Sequence, residues 1–305
     1  MRLGVLDVGS NTIHLQVVDA YVGARPDPTT NLKIDLRLSE FLSSDGIISA
    51  EGVKQLKGAI RECVIEARKV NSEELLPFAT SALREARNGS EIIADLNREF
   101  DIDLQVLSGE EEAQITFLAA RRWYGWSSGQ LLVVDIGGGS LEIAAGVNES
   151  ADVAISLPLG ASRLTKNYLE GDPFTKKSIK NLRDYIESQL SDPLASILEY
   201  PASDLAIATS KTLRTLARVT GDWANGNGQS LKLEALTRIL PNLSEMSQKE
   251  RSELPGVSKS RARQIVAGAL VAEGVMRRLV IDSLEICPWA LREGIVLKWL
   301  DWIKQ

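Results

Sequence analysis

The sequence predicts an α/β protein of two related lobes, and three observations support this fold class. The segment Asp7–Thr12 recurs as Asp135–Ser140, and each copy lies between an apolar run and an apolar alternation. Apolar runs around a Gly- and Ser-rich turn are typical of a β-hairpin. The chain has 305 residues, whereas single cores seldom grow past roughly 250–300. Strand patterns also alternate with helix patterns along its length.

The first lobe is predicted to cover residues 1–119. Its predicted elements are strands at 3–8, 13–20 and 34–38, a helix at 50–70, a strand at 75–79, a helix opening at Thr80, a strand at 104–107 and a helix to Trp123. The 50–70 helix rests on an apolar stripe that includes Leu56 and Ile60. The hydroxyls of Thr80 and Ser81 suit a helix N-cap, and a capped helix start favours anions.

The second lobe is predicted to cover residues 120–291, with a last helix at 292–305 joining the first lobe. Its predicted elements are a hairpin at 131–146, a strand at 152–157, helices near 160–168 and 175–190, a strand at 204–208, a helix at 210–219, a polar loop at 225–228, helices to 278 and a strand near 280–286. We expect the last helix to return to the first lobe and pack against it, which explains why this helix carries an apolar stripe.

Composition excludes several classes of protein. No basic and apolar leader is present, and no apolar stretch reaches the roughly 18–20 residues of a membrane helix. Cys63 and Cys287 match no metal or redox spacing, so a cytoplasmic protein is expected. The chain has a single histidine, His14, and therefore cannot form a site that needs two histidines. We expect His14 to pack or hydrogen-bond on its hairpin. The net charge is −6, and we expect neither nucleic acid nor a membrane as partner.

The turns of the two hairpins are candidate phosphate sites. Glycine lets a backbone approach a ligand closely, and successive turn N–H groups form a concavity that suits phosphate. Asp7 and Asp135 end their strands, where a carboxylate can hold a metal ion or a water beside phosphate. Basic clusters add further candidates, among them Lys211 and Arg261. We therefore expect two lobes that face each other across a phosphate-binding cleft.

Helix capping distinguishes two of the adjacent glutamates. With Ser108 as N-cap, Glu111 occupies the N3 position of a capping box and bonds back to the cap. Glu112 has no such task and could take a proton from an attacking water. Acidic first turns also simply complement the helix dipole, so spacing leaves both interpretations open.

Seven motifs together resemble those of the exopolyphosphatase / guanosine-pentaphosphate phosphatase family. They are Asp7–Thr12, Thr80–Ala86, Ser108–Ala113, Asp135–Glu142, Leu157–Arg163, Pro255–Ala262 and Leu291–Gly294. The resemblance spans nearly the whole chain. It implies two ribonuclease-H-like lobes of the actin / sugar-kinase / heat-shock ATPase superfamily with an interlobe cleft.

The resemblance also implies roles for single residues. Glu112 corresponds to the catalytic base, and Arg84 assists by holding the transferring phosphoryl group. The phosphate-binding candidates are Ser10, Asn11, Thr12, Gly137, Gly138, Gly139, Ser140, Thr209, Lys211 and Arg261. The metal-binding candidates are Asp7, Asp135 and Glu142, with Mg²⁺ or Mn²⁺ as the expected ion. Ala208 stands where family members often have glycine, which puts the contact at Thr209 in doubt.

The expected activity is hydrolysis of the terminal phosphate of linear polyphosphate. Larger family members append further helical domains, so short chains are the expected substrates here. Three alternatives stay open: a pppGpp 5′-phosphohydrolase, a non-catalytic polyphosphate or alarmone sensor, and an acceptor kinase of the same superfamily. A homodimer is compatible with the sequence.

Overall fold

The computed structural model describes residues 1–21, 23–43, 45–223 and 229–303. The predicted polar loop at 225–228 lies outside them. By its contacts the chain divides into two compact units, Met1–Ile115 with the segment from Leu291, and Thr116–Ala290. The contacts thus divide the chain after residues 115 and 290, close to the boundaries after 119 and 291 that are predicted from the sequence. Within the described ranges, no helix is both long and apolar enough to cross a membrane.

Each unit contains one mixed β-sheet. The strands are β1 (Arg2–Val8), β2 (Thr12–Asp19), β3 (Pro28–Asp35), β4 (Glu74–Ala79), β5 (Gln105–Val106), β6 (Leu131–Ile136), β7 (Leu141–Gly146), β8 (Val153–Leu157), β9 (Leu205–Ala208), β10 (Ser230–Lys232) and β11 (Ser283–Ile286). The first sheet has the order β3-β2-β1-β4-β5 and the second β10-β11-β9-β6-β7-β8.

The two sheets share one topology. β1, β2 and β3 form an antiparallel meander, and β4 and then β5 add in parallel on the other side of β1. In the second sheet β6, β7 and β8 repeat the meander, and β9 and β11 repeat the parallel strands. β10 is an added antiparallel edge strand. This repetition confirms the α/β class and the ribonuclease-H-like lobes.

Helices cover the sheets. They are α1 (Ala50–Lys69), α2 (Ser81–Glu85), α3 (Gly89–Phe100), α4 (Gly109–Tyr124), α5 (Ala161–Tyr168), α6 (Lys176–Leu190), α7 (Ala195–Leu198), α8 (Lys211–Trp223), α9 (Leu233–Glu245), α10 (Gln248–Ser252), α11 (Lys259–Ala262), α12 (Ile265–Arg278) and α13 (Leu291–Trp302). Short 3-10 helices occur at Leu38–Phe41 and Trp126–Ser128.

The central strand of the first sheet is buried on both faces. Leu6 and Val8 of β1 pack with α1 and α3, whereas Leu3 and Val5 pack with α13, whose Trp299 is buried there. Both faces of β1 are therefore apolar, as expected for a strand covered on two sides. The second unit has one large core, in which β6 and β7 pack against α5, α6, α8, α9 and α12.

Several predicted elements need correction. The third strand is Pro28–Asp35 rather than 34–38, because its whole length pairs with β2 and the chain then turns away. β5 has only two residues, and β10 and α3 were not predicted. A periodic signal for α3 was present, since Ile92, Leu96 and Phe100 form one buried stripe.

Candidate active site

The turn of the first hairpin is closed by its own backbone and held from one side. The N–H of Gly9 donates to the carbonyl of Thr12 at 3.1 Å. The carbonyl of Asn11 accepts from the N–H groups of Leu36 and Arg37, at 2.9 and 2.8 Å. Because a trans peptide directs its C=O and N–H to opposite sides, the N–H of Thr12 faces away from these donors.

The Ser10 hydroxyl lies 2.9 Å from the hydroxyl of Ser81, in the buried start of α2. The predicted N-cap at Thr80 is only partly correct. Thr80 does occupy the N-cap position, but its side chain makes no capping hydrogen bond. Its backbone N–H instead donates to the carbonyl of Val8. α2 has five residues, and its Ser81 and Arg84 side chains contact Ser10 and Glu112.

The turn of the second hairpin repeats the first. The N–H of Gly137 donates to the carbonyl of Ser140 at 2.9 Å, which matches the Gly9–Thr12 bond. Gly138 and Gly139 form the tip, and Ser140 is buried. Among the described residues, the N–H groups of Gly138, Gly139 and Ser140 donate to no backbone oxygen. Three successive N–H groups of a turn make a concavity that suits a phosphate oxygen.

The predicted capping box at the start of α4 is present. The N–H of Ser108 donates to the Glu111 carboxylate at 2.7 Å, and the N–H of Glu111 donates to the Ser108 hydroxyl at 3.1 Å. These hydrogen bonds lower the pKa of Glu111, with the backbone bond as the largest cause. Glu111 is therefore engaged in helix capping, as its spacing from Ser108 predicts.

Glu112 faces a different environment from Glu111. It is 7% exposed and forms an ion pair with Arg84. Arg84 also donates to the carbonyl of Leu107 at 2.7 Å, just beyond β5. The guanidinium is thereby held between the end of a strand and the first turn of α4, and it fixes the position of the Glu112 carboxylate. The two predicted catalytic side chains are thus in direct contact.

Asp135 and Glu142 lie directly opposite each other on β6 and β7. The hydroxyl of Thr209 donates to Asp135 at 2.6 Å, and that of Ser156 donates to Glu142 at 3.0 Å. Burial raises the pKa of Asp135, against the Thr209 hydrogen bond and the charges of Arg214 and Arg261, which lower it. The second hairpin therefore places two carboxylates side by side near its glycine turn.

Thr209 is predicted to contact phosphate, but in the structure its donors bond to other groups of the protein. Its N–H donates to the carbonyl of Val134 at 3.2 Å, and its hydroxyl donates to Asp135. Ala208 is fully buried in β9. Both donors of Thr209 thus have protein acceptors, an arrangement that favours positioning of Asp135 over direct phosphate contact.

Lys211 begins α8, two residues after Thr209, the hydrogen-bond partner of Asp135. Arg261 lies in α11 and donates to the hydroxyl of Thr212 at 3.4 Å. Both Arg261 and Arg214 are close enough to act on the charge of Asp135. The second unit therefore brings three predicted segments together, those around 135–142, 209–212 and 261. Arg214, which the helical spacing of the sequence groups with Lys211 in one basic cluster, lies at the same place.

The remaining predicted residues lie on the first hairpin. Asp7 is the penultimate residue of β1 and pairs in register with His14, whose ring hydrogen-bonds Asn31 on β3. The histidine is thus held on its hairpin, as predicted. Among the residues that the structure describes, no three His, Cys, Asp or Glu side chains are grouped so as to hold a metal ion. Asp7 belongs to the first unit and Asp135 and Glu142 to the second, so a metal site shared by these three residues stays a prediction.

The pair Asp135 and Glu142 nevertheless fits a Mg²⁺ ion. Directly opposed residues of an antiparallel pair have Cβ atoms about 4.5–5.5 Å apart, which brings both carboxylates within reach of one ion. Mg²⁺ is usually bound by one or two carboxylates together with waters and substrate phosphates. A cation here would also offset the burial of the Asp135 charge. Two carboxylates beside a turn whose N–H groups suit an anion are compatible with this mode of binding.

The chain matches the model of the Ppx/GppA phosphatase family over residues 17–302. It is 49% identical to Exopolyphosphatase 1 of Mycobacterium bovis, with 99% of this chain and 89% of the relative covered. Identity to Exopolyphosphatase 1 of Mycobacterium leprae is 48%, with 99% and 90% covered.

Solved structures agree. An exopolyphosphatase from Cytophaga hutchinsonii superposes with a TM-score of 0.88 at 25% identity, over 99% of this chain and 98% of the other. The Aquifex aeolicus member of the Ppx/GppA family superposes with a TM-score of 0.82 at 23% identity, over 100% and 99% of the two chains, and so shares the fold. The match over nearly the whole sequence and the repeated hairpins lead to one conclusion: this chain belongs to the Ppx/GppA phosphatase family.

Proposed function

We propose that this protein is an exopolyphosphatase, which removes the terminal phosphate of linear polyphosphate with water as the nucleophile. The observation that carries the proposal is that two adjacent glutamates at the start of α4 have different environments. Glu111 caps the helix, whereas Glu112 is buried and held by Arg84. In a member of a phosphatase family, a positioned carboxylate at this place suits a general base. The exopolyphosphatase relatives support the choice of substrate.

In the proposed reaction, Glu112 takes a proton from water as the water oxygen attacks the terminal phosphorus. The bond from that phosphorus to the bridging oxygen breaks, which releases orthophosphate and a chain one unit shorter. Arg84 holds the Glu112 carboxylate and offers its positive charge to the phosphoryl group. Preorganised donors of this kind stabilise charge that develops in the transition state.

The turn amides provide the other donors. The N–H groups of Gly138, Gly139 and Ser140 suit phosphoryl oxygens, and Asn11 and Thr12 offer the corresponding backbone in the first hairpin. Asp135 and Glu142 would hold Mg²⁺ or Mn²⁺, with Asp7 at the equivalent position of the first hairpin. The ion, when bound, would offset phosphate charge. Thr209 and Ser156 keep the two carboxylates in place by hydrogen bonding.

The test compares Glu112→Gln with the matched control Glu111→Gln, two isosteric changes in adjacent residues. Phosphate release is measured from polyphosphates of defined short and long chain length, and from pppGpp and ATP, with Mg²⁺, with Mn²⁺ and after chelation. We expect Glu112→Gln to lower kcat by ~10²–10⁴ with little change in KM. Glu111→Gln should keep its kcat, because its carboxylate caps the helix.

The outcomes separate the candidate functions. Equal losses of kcat in the two variants would refute the role of Glu112. A clear preference of the wild type for pppGpp would identify the 5′-phosphohydrolase instead. Binding of polyphosphate without release of phosphate, measured by calorimetry, would identify a sensor. A gain in kcat/KM that continues up to long polyphosphates would contradict the expected preference for short chains.

A further inference from the structure

The segment Leu157–Arg163 matches a family motif, yet the proposed reaction gives it no task. It leads from β8 into α5 and packs against the glycine turn of the second hairpin. Its donors reach three successive carbonyls of that turn. The hydrogen bonds are Ala161 N to Gly137 O (3.0 Å), Ser162 N to Gly138 O (3.0 Å), Arg163 N to Gly138 O (3.1 Å), Gly160 N to Gly139 O (3.3 Å) and Arg163 Nε to Gly139 O (2.8 Å).

These bonds decide what the start of α5 can do. The first N–H groups of a helix have no partner inside the helix and often bind anions. Here the N–H groups of Ala161, Ser162 and Arg163 donate to turn carbonyls instead. The start of α5 therefore holds the turn and does not itself receive phosphate.

The same bonds set the direction of the turn amides. Each trans peptide directs its C=O and N–H to opposite sides. With the carbonyls of Gly137, Gly138 and Gly139 bound to α5, the N–H groups of the three following residues face away from it. This arrangement presents the three N–H groups together to a phosphoryl group.

The orientation of the peptide between Gly139 and Ser140 is held by a side chain as well as by the backbone. Its carbonyl accepts from Gly160 N at 3.3 Å, a long contact, and from Arg163 Nε at 2.8 Å. The Arg163 bond is therefore the better formed of the two. We propose that Arg163 is a positioning residue for the phosphatase reaction proposed above: its Nε–H fixes this peptide so that the Ser140 N–H faces the phosphoryl group.

A second contact holds α5 in place. The hydroxyl of Ser162 donates to the side chain of Gln264, a buried residue that follows α11. Gly268 of α12 allows close packing here, since a Cβ at this position would lie 2.5 Å from Thr212 and 3.5 Å from Ala161. The start of α5 thus rests on a rigid support, and Arg163 transmits that position to the turn.

Three substitutions distinguish this role from a direct contact between the Arg163 charge and substrate. Arg163→Gln places an amide nitrogen where Nε stands, so it keeps the donor to Gly139 and removes the charge. Arg163→Lys keeps the charge but displaces the donor. Arg163→Met removes both at similar length. A positioning role predicts that the glutamine variant retains function and that the lysine and methionine variants lose it.

Two readouts are needed. The first is phosphate release from tripolyphosphate, for which we expect kcat/KM to fall about 10- to 100-fold in Arg163→Met and Arg163→Lys, in the range that misplacement by about 1 Å produces. Arg163→Gln should stay within about threefold of the wild type, a margin well below that range. The second is amide hydrogen exchange of the 131–146 hairpin without ligand. Exchange at Gly137, whose N–H closes the turn on the carbonyl of Ser140, should accelerate in the methionine and lysine variants and stay near the wild-type rate in the glutamine variant.

The results separate this inference from the proposed function. An inactive wild type would refute the function, while the exchange pattern would still decide the role of Arg163. Activity retained by lysine and lost by glutamine would overturn the inference in favour of a charge contact. Wild-type exchange at Gly137 in Arg163→Met would overturn it as well.

Discussion

The close approach of Gly160 to the glycine turn gives a quantitative test of the site. Gly160 has φ −72° and ψ 144°, a conformation open to any residue, so backbone freedom does not require glycine here. A Cβ at this position would lie 2.2 Å from the carbonyl carbon of Gly139 and 2.4 Å from the nitrogens of Gly139 and Ser140. Non-bonded carbons need roughly 3.5 Å, so Gly160→Ala must separate α5 and the turn by about 1 Å.

The overlap involves backbone atoms, so rotation of a side chain cannot relieve it. A shift of about 1 Å at positioned groups can lower activity roughly 10²-fold. Overpacking of this kind also costs about 1–3 kcal/mol of unfolding free energy. We therefore expect Gly160→Ala to fold with reduced stability and to lose about two orders of magnitude in kcat/KM.

Phosphate release and urea denaturation measure the two effects. Gly58→Ala is the matched control, because Gly58 is exposed within α1 and a Cβ there would meet nothing within 4 Å. That variant should gain about 0.5–1 kcal/mol from helix propensity and keep its activity. If Gly160→Ala matched the wild type in activity and stability, the packing of α5 on the turn, and with it the positioning of the turn amides, would be refuted.

Three further predictions concern stability and reactivity. In Gly294→Ala the new Cβ would lie 2.2 Å from the carbonyl oxygen of Ile115. We therefore expect the free energy of unfolding, measured by urea denaturation, to fall by about 1–3 kcal/mol. An unchanged midpoint would contradict this close contact of α13 with α4. Burial raises the pKa of the Cys63 thiol to about 12. A disulfide reagent at neutral pH should therefore label Cys63 only after denaturation. Rapid labelling of Cys63 in the native protein would show that the core around it opens. The pKa of Glu111 is lowered by hydrogen bonds from Ser108, so its charge stabilises the fold above the ordinary glutamate pKa and this contribution is lost as the pH falls through the lowered value. The stability difference between wild type and Glu111→Gln should accordingly be at most about 1 kcal/mol at neutral pH and disappear in acid; a difference that persisted in acid would assign it to a cause other than the charge.

Local patterns in the sequence determined much of the fold. The repeated Asp-to-Ser segments specify two hairpins because turn chemistry and strand alternation act over a few residues. The apolar stripe of α1 and the capping box of α4 are likewise local, and both are present as predicted. The same capping argument separated Glu111 from Glu112 before any contact of Glu112 was known.

Contacts between distant segments were decided by the tertiary structure alone. Arg84 meets Glu112, Thr209 meets Asp135 and Ser162 meets Gln264, and in each pair the two residues lie far apart in sequence. Such pairs form because separate strands and helices bring them together, and no spacing along the chain encodes them. The end of β3 and the unused cap at Thr80 are errors of the same origin, since partners elsewhere in the fold overrode local preference.

The Leu157–Arg163 segment shows most clearly which features the sequence determines and which only the tertiary structure decides. From the sequence, Leu157–Arg163 is one of the seven motifs that carry the family resemblance, with no role of its own. Only the structure shows that the N–H groups at the start of α5 donate to the carbonyls of Gly137, Gly138 and Gly139. A helix start binds whichever acceptor the fold brings to it, and here the fold brings the carbonyls of the turn, which leaves the turn's own amides directed away from α5.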